Sequence, residues 1–240
     1  MEWNVVGDFL FSSIIFKGIW ITIQLSILSM IFGVALGFIA GVMNVSRFPL
    51  ISWPANLYIW FFRGTPLLVQ LLFGFAGLPQ IWGFARELSA FQVAIFVLSL
   101  NQGAYMAEIV RAGIEAIEEG QMDAAKSLGM PYLKAMRRVI LPQAFRVIIP
   151  PMGNQFISLL KDSSLASVIT VTELMRASRI IYASNFRTME LLTVAAIWYL
   201  VITTVFSLIQ AEVEARMAAG RREERITLLG RLQRAINIAR

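Results

Sequence analysis

The chain contains no cysteine and no histidine. Disulfide bonds, thiol nucleophiles and the usual zinc and haem ligands are therefore excluded, although the lack of cysteine identifies no compartment. The apolar segments also hold no pair of carboxylates suited to general acid and base catalysis. We therefore expect a protein with no catalytic residue, no metal site and no cofactor of its own.

Charged residues are scarce as well, at 15% of 240 residues, whereas soluble domains carry about a quarter. Asp, Glu, Lys and Arg are absent from four long runs, which are 18–46, 64–85, 88–107 and 191–211. Each run supplies the roughly 20 residues that a helix needs to cross a bilayer. The pattern predicts an all-α, polytopic membrane protein in contact with lipid. We assign the net charge of +6 to cytoplasmic loops rather than to nucleic-acid binding.

Five spanning helices are predicted, at about 14–43, 54–75, 91–112, 151–171 and 191–211. The fourth is placed by Pro150 and Pro151, since proline favours the first helical turn, and its midpoint is then the pair Lys161 and Asp162. In the first predicted span, glycines recur every fourth residue, at Gly33, Gly37 and Gly41. This spacing predicts close packing against another helix. In the second, Gly64 and Pro66 beside Arg63 predict a kink.

Five spans place the two termini on opposite sides of the membrane. Lys and Arg concentrate in 113–145 and after 216, and cytoplasmic segments are enriched in these residues. We therefore expect the N-terminus outside and the C-terminus in the cytoplasm, although three outer arginines count against it, namely Arg176, Arg179 and Arg187. The domain interpretation is one transmembrane domain over 1–215 and an Arg-rich cytoplasmic tail over 216–240.

The polar stretch 113–145 predicts two short helices joined by a sharp turn. The first spans Gln121–Leu128, with Asp123 in its first turn and Lys126 in its last, where both charges complement the helix dipole. Gly129 suits a left-handed C-terminal stop, Pro131 opens the next helix, and Pro142 closes it. Ala124 and Ala125 give the first helix a small, smooth face for the groove of a soluble partner. The alternative is an ordinary structured loop.

The same stretch resembles the membrane subunits of ABC importers, whose hallmark is Glu-Ala-Ala, three residues, Gly, nine residues, Ile, any residue, Leu-Pro. The matching residues here are Asp123, Ala124, Ala125, Gly129, Val139, Leu141 and Pro142, with Asp in place of Glu and Val in place of Ile. Five further segments resemble the polar amino-acid (histidine/glutamine) permeases, namely FRGTPLLVQL, AYMAEIVRAGIEAI, EEGQMDAAKSLGM, ILPQAFR and LLKDSSLASVI. The resemblance covers about residues 14–215.

This resemblance implies a permease subunit in the bacterial cytoplasmic (inner) membrane. The implied coupling helix is 121–129, which would dock on a cytoplasmic ABC ATPase dimer through Asp123, Ala124, Ala125, Lys126, Gly129, Leu141 and Pro142. The chain has no GxxxxGK[S/T] phosphate loop, so ATP and Mg would be bound by that partner. The other implied partners are an extracytoplasmic amino-acid-binding protein and a second permease subunit, identical or related.

Polar residues at mid-bilayer depth are costly and often mark a transport pathway. Asn101 and the pair Lys161 and Asp162 fall at that depth in two predicted spans. Asn154, Ser158, Lys161 and Asp162 share one face of a helix. Asp162 suits the ammonium of an amino acid, and we include Ser163 beside it in the predicted pathway. The alternative is that Lys161 and Asp162 pair with each other or with a second subunit.

Two other functions compete with an amino-acid importer driven by a separate ATPase. An ion-coupled secondary transporter would use Lys161 and Asp162 as a relay and would need no ATPase. A membrane anchor or sensor would recruit a soluble partner through 113–145 and would need no polar residues at matching depths. A membrane enzyme ranks last, because no catalytic constellation lies in the spans.

Overall fold

In the computed structural model, which describes residues 1–117 and 119–218, every regular element is a helix. The α-helices are α1 Trp3–Leu10, α2 Ser13–Asn44, α3 Pro49–Gly64, α4 Leu67–Leu72, α5 Leu78–Ile81, α6 Ala90–Glu115, α7 Glu119–Ser127, α8 Tyr132–Ala135, α9 Leu141–Asp162, α10 Leu174–Asn185 and α11 Thr188–Ala218. Two π-turns, Phe73–Gly77 and Met136–Ile140, and two 3₁₀ segments, Gly83–Glu87 and Ser163–Ile169, connect some of them.

Three of the described helices, α2, α6 and α11, are long and apolar enough to cross a membrane. A fourth candidate span is the pair formed by α3 and Leu67–Ile81, whose two halves are bent by 102°. The helices α2, α6 and α11 correspond to the predicted first, third and fifth spans. The bent pair corresponds to the predicted second span. The predicted kink is therefore confirmed, and it is a full break at Gly64, Thr65 and Pro66.

The predicted fourth span is not among these candidates, and the helix in its place differs from the prediction. The helix α9 begins at Leu141 rather than at Pro150 or Pro151, which lie inside it. It ends at Asp162, so Lys161 and Asp162 occupy its last turn and the midpoint prediction is wrong. Pro150 and Pro151 have no N–H groups to donate to the carbonyls of Arg146 and Val147, four residues earlier. Gln210 of α11 bonds elsewhere, to the carbonyl of Pro150 at 2.9 Å, and so ties α11 to this part of α9.

Pro142 does not close the preceding helix either. The chain continues from α8 through the π-turn Met136–Ile140 into α9, with Pro142 in the first turn of α9. The N–H of Leu141 reaches back five residues to the carbonyl of Met136. A proline has no N–H to donate and its ring crowds the carbonyl four residues earlier. A widened turn just before the proline relieves that crowding, which lets the helical path continue.

The glycine stripe of α2 packs against α6, as predicted. A Cβ on Gly33 would lie 2.8 Å from the Cβ of Gln102, and one on Gly41 would lie 2.7 Å from that of Val110. A Cβ on Gly37 would overlap the Cβ of Met106. The residue numbers of the contacting pairs increase along both helices, so α2 and α6 run parallel, with their backbones close together.

A buried carboxylate lies at the start of α10. Glu173 is fully buried and caps α10 by accepting the N–H groups of Met175 and Arg176 at 2.8 Å each. It also accepts the hydroxyl of Tyr199 on α11 at 2.7 Å. Three charge-assisted bonds satisfy this carboxylate, and they tie the start of α10 to α11.

Candidate functional site

The predicted turn after the first short helix of the polar loop is confirmed. Gly129 follows α7 with φ of +74°, a left-handed conformation that glycine adopts without steric cost. The N–H of Gly129 donates to the carbonyl of Lys126 at 2.8 Å, and the N–H of Met130 donates to that of Ala125 at 3.1 Å. This pair of bonds is the Schellman motif, which fixes the direction in which the chain leaves α7.

One face of α7 packs on its own chain and the other is exposed. Ala125 is buried, at 4% exposure, so only Ala124 of the predicted alanine pair remains on the surface. Leu128, beside Gly129, is 80% exposed. Asp123 and Lys126 form an exposed ion pair at 3.7 Å across one turn. The available surface is therefore small and apolar at Ala124 and Leu128, with a pair of charges beside it.

The loop is held on the end of α6 by an apolar cluster. Val110 and Ile114 of α6 pack with Ile140 and Ile148, and Leu141 lies against them, half-buried. Pro142 is exposed at the start of α9. Leu141 is therefore part of the apolar cluster that packs on α6, and Pro142 is part of the surface.

Among the predicted pathway residues, the structure brings together Asn154, Ser158, Lys161 and Asp162. They share the face of α9 that is least covered by the chain: Asn154 and Lys161 are exposed, and Ser158 and Asp162 are half-buried. Within the described residues, these side chains have no hydrogen bond and no ion pair within 4 Å. Lys161 and Asp162 therefore form no ion pair within 4 Å in the described residues.

Ser163 and Asn101 do not join that face. Ser163 is fully buried and donates its hydroxyl to the carbonyl of Leu160 at 2.8 Å. Asn101, 5% exposed, donates its amide to the carbonyl of Phe62 at 3.2 Å and to Oε1 of Gln70 at 3.0 Å. Asn101 therefore faces the break of the second span rather than the polar face of α9.

Sequence reasoning missed Gln70, which is buried in α4 and bonded to the broken end of α3. Its Nε2 donates to the carbonyl of Phe62 at 2.9 Å and to the carbonyl and hydroxyl oxygens of Thr65 at 3.1 and 2.8 Å. The sequence signal was the position of this amide, four residues after Pro66. A proline leaves the carbonyl four residues before it without its usual donor, and a nearby amide side chain can donate to that carbonyl instead.

Arg63 lies at the same break, where its exposed side chain reaches two residues of α6. Its Nη1 is 3.4 Å from Oε1 of Glu108, and its guanidinium lies 5.5 Å from the ring centre of Tyr105. Glu108 also accepts from Arg111 at 2.8 Å, and Arg111 reaches Glu115 at 2.6 Å. A line of alternating charges thus runs from the break to the last turn of α6.

The broken span, the parallel helix pair and the helical loop define a polytopic membrane subunit. Residues 33–219 match the family described as the inner membrane component of binding-protein-dependent transport systems, and the chain belongs to that family. Its members are permease components of ABC importers. ATP hydrolysis is performed by a separate ATPase subunit, and the protein resides in the bacterial inner membrane.

Curated relatives and solved structures agree with this assignment. The chain is 47% identical to the arginine transport system permease protein ArgU of Corynebacterium glutamicum, over 91% of this chain and 72% of the relative. It is 37% identical to the glutamine transport system permease protein GlnP of Escherichia coli, over 90% and 97% respectively. A crystal structure of an amino acid ABC transporter with histidines superposes with a TM-score of 0.79 at 41% identity, covering 85% of this chain and 94% of that one.

Proposed function

We propose that the chain is the transmembrane subunit of an importer that carries an amino acid into the cell by alternating access. The relatives support this cargo, since their names specify arginine and glutamine transport. In this proposal an extracytoplasmic amino-acid-binding protein delivers the cargo. A second permease subunit, identical or related, completes the pathway, and ATP and Mg bind to the partner ATPase dimer. The single permease domain spans 1–215, and most of the proposed 216–240 tail, residues 219–240, lies outside the described residues.

The observation that carries the proposal is the unpaired polar face of α9. A zwitterionic amino acid needs an acceptor for its ammonium group and donors for its carboxylate. Asp162 supplies the acceptor and Lys161 a donor, while Ser158 presents a hydroxyl one turn earlier and Asn154 an amide two turns earlier. Charged side chains left without partners in a membrane helix are costly unless they face water or another subunit. In a pathway between two subunits, these side chains would face both water and the other subunit.

The coupling role belongs to α7 and its turn. The ATPase dimer would receive the exposed Ala124 and Leu128, flanked by Asp123 and Lys126, while Gly129 sets the exit direction. Ala125 would contribute as a buried residue of α7, Leu141 as part of the apolar cluster at the end of α6, and Pro142 as an exposed residue at the start of α9. Closure of the ATPase dimer would push this helix, and α6 and α9 would carry the movement into the membrane.

The test is reconstitution of the chain with its ATPase and binding protein in proteoliposomes, followed by ATPase and uptake assays across a panel of amino acids. We expect one or a few amino acids to stimulate ATP hydrolysis and to accumulate only when ATP is supplied. Uptake that follows an ion gradient without ATP would instead support a secondary transporter. Stable ATPase binding with no uptake of any amino acid would support an anchor or sensor.

A further inference from the structure

The second span is interrupted where its backbone needs substitute hydrogen-bond donors. Between α3 and α4, Thr65 and Pro66 are extended, and the helix axes differ by 102°. Pro66 has no N–H, so the carbonyl of Phe62 lacks its usual helical donor. An unpaired carbonyl inside a membrane costs several kcal/mol in order of magnitude. Such a break persists only when side chains satisfy the freed groups.

Two amides fill this role together. Gln70 donates to Phe62 and Thr65 across the break, and its own Oε1 accepts from Asn101 of α6. Asn101 donates to the same carbonyl of Phe62. The two side chains thus form a closed network that joins α3, α4 and α6. We call Gln70 and Asn101 the amide latch.

The latch is the first element of a polar stripe along α6. Asn101, Tyr105 and Glu108 follow one another at intervals of four and three residues, so they share one helical face. Asn101 holds the carbonyl of Phe62, and both Tyr105 and Glu108 hold Arg63. The broken end of α3 is therefore fixed to α6 at successive levels. The cytoplasmic end of this stripe lies just before α7.

We propose that Gln70 and Asn101 are positioning residues that lock the broken second span to α6, so that a displacement of α7 moves the break as one body with α6. Asn101 then acts through the backbone of the break and not as a ligand of the cargo, which replaces the role that its sequence position predicted. The transport consequence rests on the proposed importer function, whereas the locking itself is a property of the chain alone.

The locking can be measured by spin labelling, because the chain has no cysteine that would add background. The label sites are Leu57→Cys on α3 and Phe73→Cys beyond α4, both at exposed positions. The full-length chain is placed in nanodiscs and the distance distribution is recorded by pulsed electron paramagnetic resonance. We expect one narrow distribution with the latch intact and a broadened or two-component distribution in Gln70→Met and in Asn101→Leu.

The matched control is Gln80→Met, because Gln80 is an exposed amide in the same half of the span and, among the residues that the structure describes, its side chain bonds only to the carbonyl of Ala76. Its distribution should equal that of the parent. The double variant Gln70→Met with Asn101→Leu should be no broader than either single variant, since residues that act as one unit are not additive. An unchanged distribution in both single variants overturns the proposal.

A transport assay separates positioning from mere folding. In the reconstituted transporter, each latch variant should keep its basal ATPase activity and its KM for the amino acid. The number of amino acids moved per ATP should fall about tenfold, the size expected from losing a buried hydrogen bond. Normal uptake per ATP in these variants overturns the coupling role even if the distances broaden. Failure of the unmodified chain to move any amino acid would refute the proposed function while leaving the distance test intact.

Discussion

At the scale of the residue, Gly129 shows how one backbone angle determines a surface. Its positive φ and the two bonds to Lys126 and Ala125 set where Leu128 points. No atom would obstruct a Cβ at this position, so any effect of a side chain there comes from the backbone conformation alone. For a residue with a Cβ, the left-handed conformation costs about 1–2 kcal/mol, and Asn tolerates it better than others.

A substitution series at Gly129 tests that assignment. We expect uptake to decrease in the order Gly, Asn, Ala and Val, because each replacement is less compatible with the left-handed turn. The measurement is ATP-driven uptake together with co-purification of the ATPase. Gly120→Ala is the control, since Gly120 lies in α7 with open space around it and no positive φ. Equal uptake in the Val variant would show that the turn does not orient the docking surface.

A second prediction at this scale concerns the carboxylate at the end of α9. Asp162→Asn removes the negative charge with almost no change in volume, so the ammonium group of the cargo loses its charged acceptor. We expect uptake to fall at least about tenfold, in line with a loss of about 1.5–3 kcal/mol for a hydrogen bond to a charged group. The readout is substrate-stimulated ATPase activity and uptake.

The control for that variant is Ser164→Ala, two residues further on and outside the polar face of α9. The Ser164→Ala variant should transport normally when the amount of protein in the membrane equals that of the parent. If Asp162→Asn also transports normally, Asp162 serves subunit packing and the pathway lies elsewhere.

At the scale of the element, charge-free runs were sufficient to predict α2, α6 and α11, because burial of a whole helix in lipid excludes charges along its length. The start of α9 could not be predicted in this way. Pro142, Pro150 and Pro151 look like helix boundaries by local rules, yet a π-turn precedes Pro142 and the helix continues through Pro150 and Pro151. The positions of the prolines alone therefore do not predict where this helix begins.

The same limit applied to the candidate site. The turn at Gly129 depends on its nearest neighbours, so its sequence predicted it. The partner of Asn101 lies on another helix, and the depth of a residue within a span says nothing about the direction it faces. Only packing showed that Asn101 bonds to Phe62 and Gln70, whereas the face shared by Asn154 and Asp162 followed from helical periodicity.

A packing prediction also belongs to this scale. Gly37→Val should destabilise the contact of α2 with α6, because its Cβ would overlap Met106 and approach the backbone of Gly103 at 2.8 Å. Overpacking of this kind costs about 1–3 kcal/mol. We expect a lower Tm in detergent and less protein in the membrane. Gly7→Ala, which adds a Cβ in open space on α1, should leave both values unchanged.

At the scale of the whole molecule, we predict that α7 and the turn after α10 lie on opposite sides of the membrane. Since α2 and α6 run parallel, the broken span between them would return the chain to the side where α2 began. The distribution of Lys and Arg predicts that the basic loop 113–145 lies in the cytoplasm and that the N-terminus lies outside.

Thiol labelling tests this orientation, because every engineered cysteine is the only one in the chain. Ser184→Cys near the end of α10 and Ser127→Cys at the end of α7 are both exposed positions. In spheroplasts, a membrane-impermeant maleimide should label the first at once and the second only after permeabilisation. Co-expression of the ATPase should then protect Ser127→Cys and leave Ser184→Cys reactive, because docking covers only the cytoplasmic loop. Labelling of Ser127→Cys from outside would reverse the orientation and place the ATPase contact on another part of the chain.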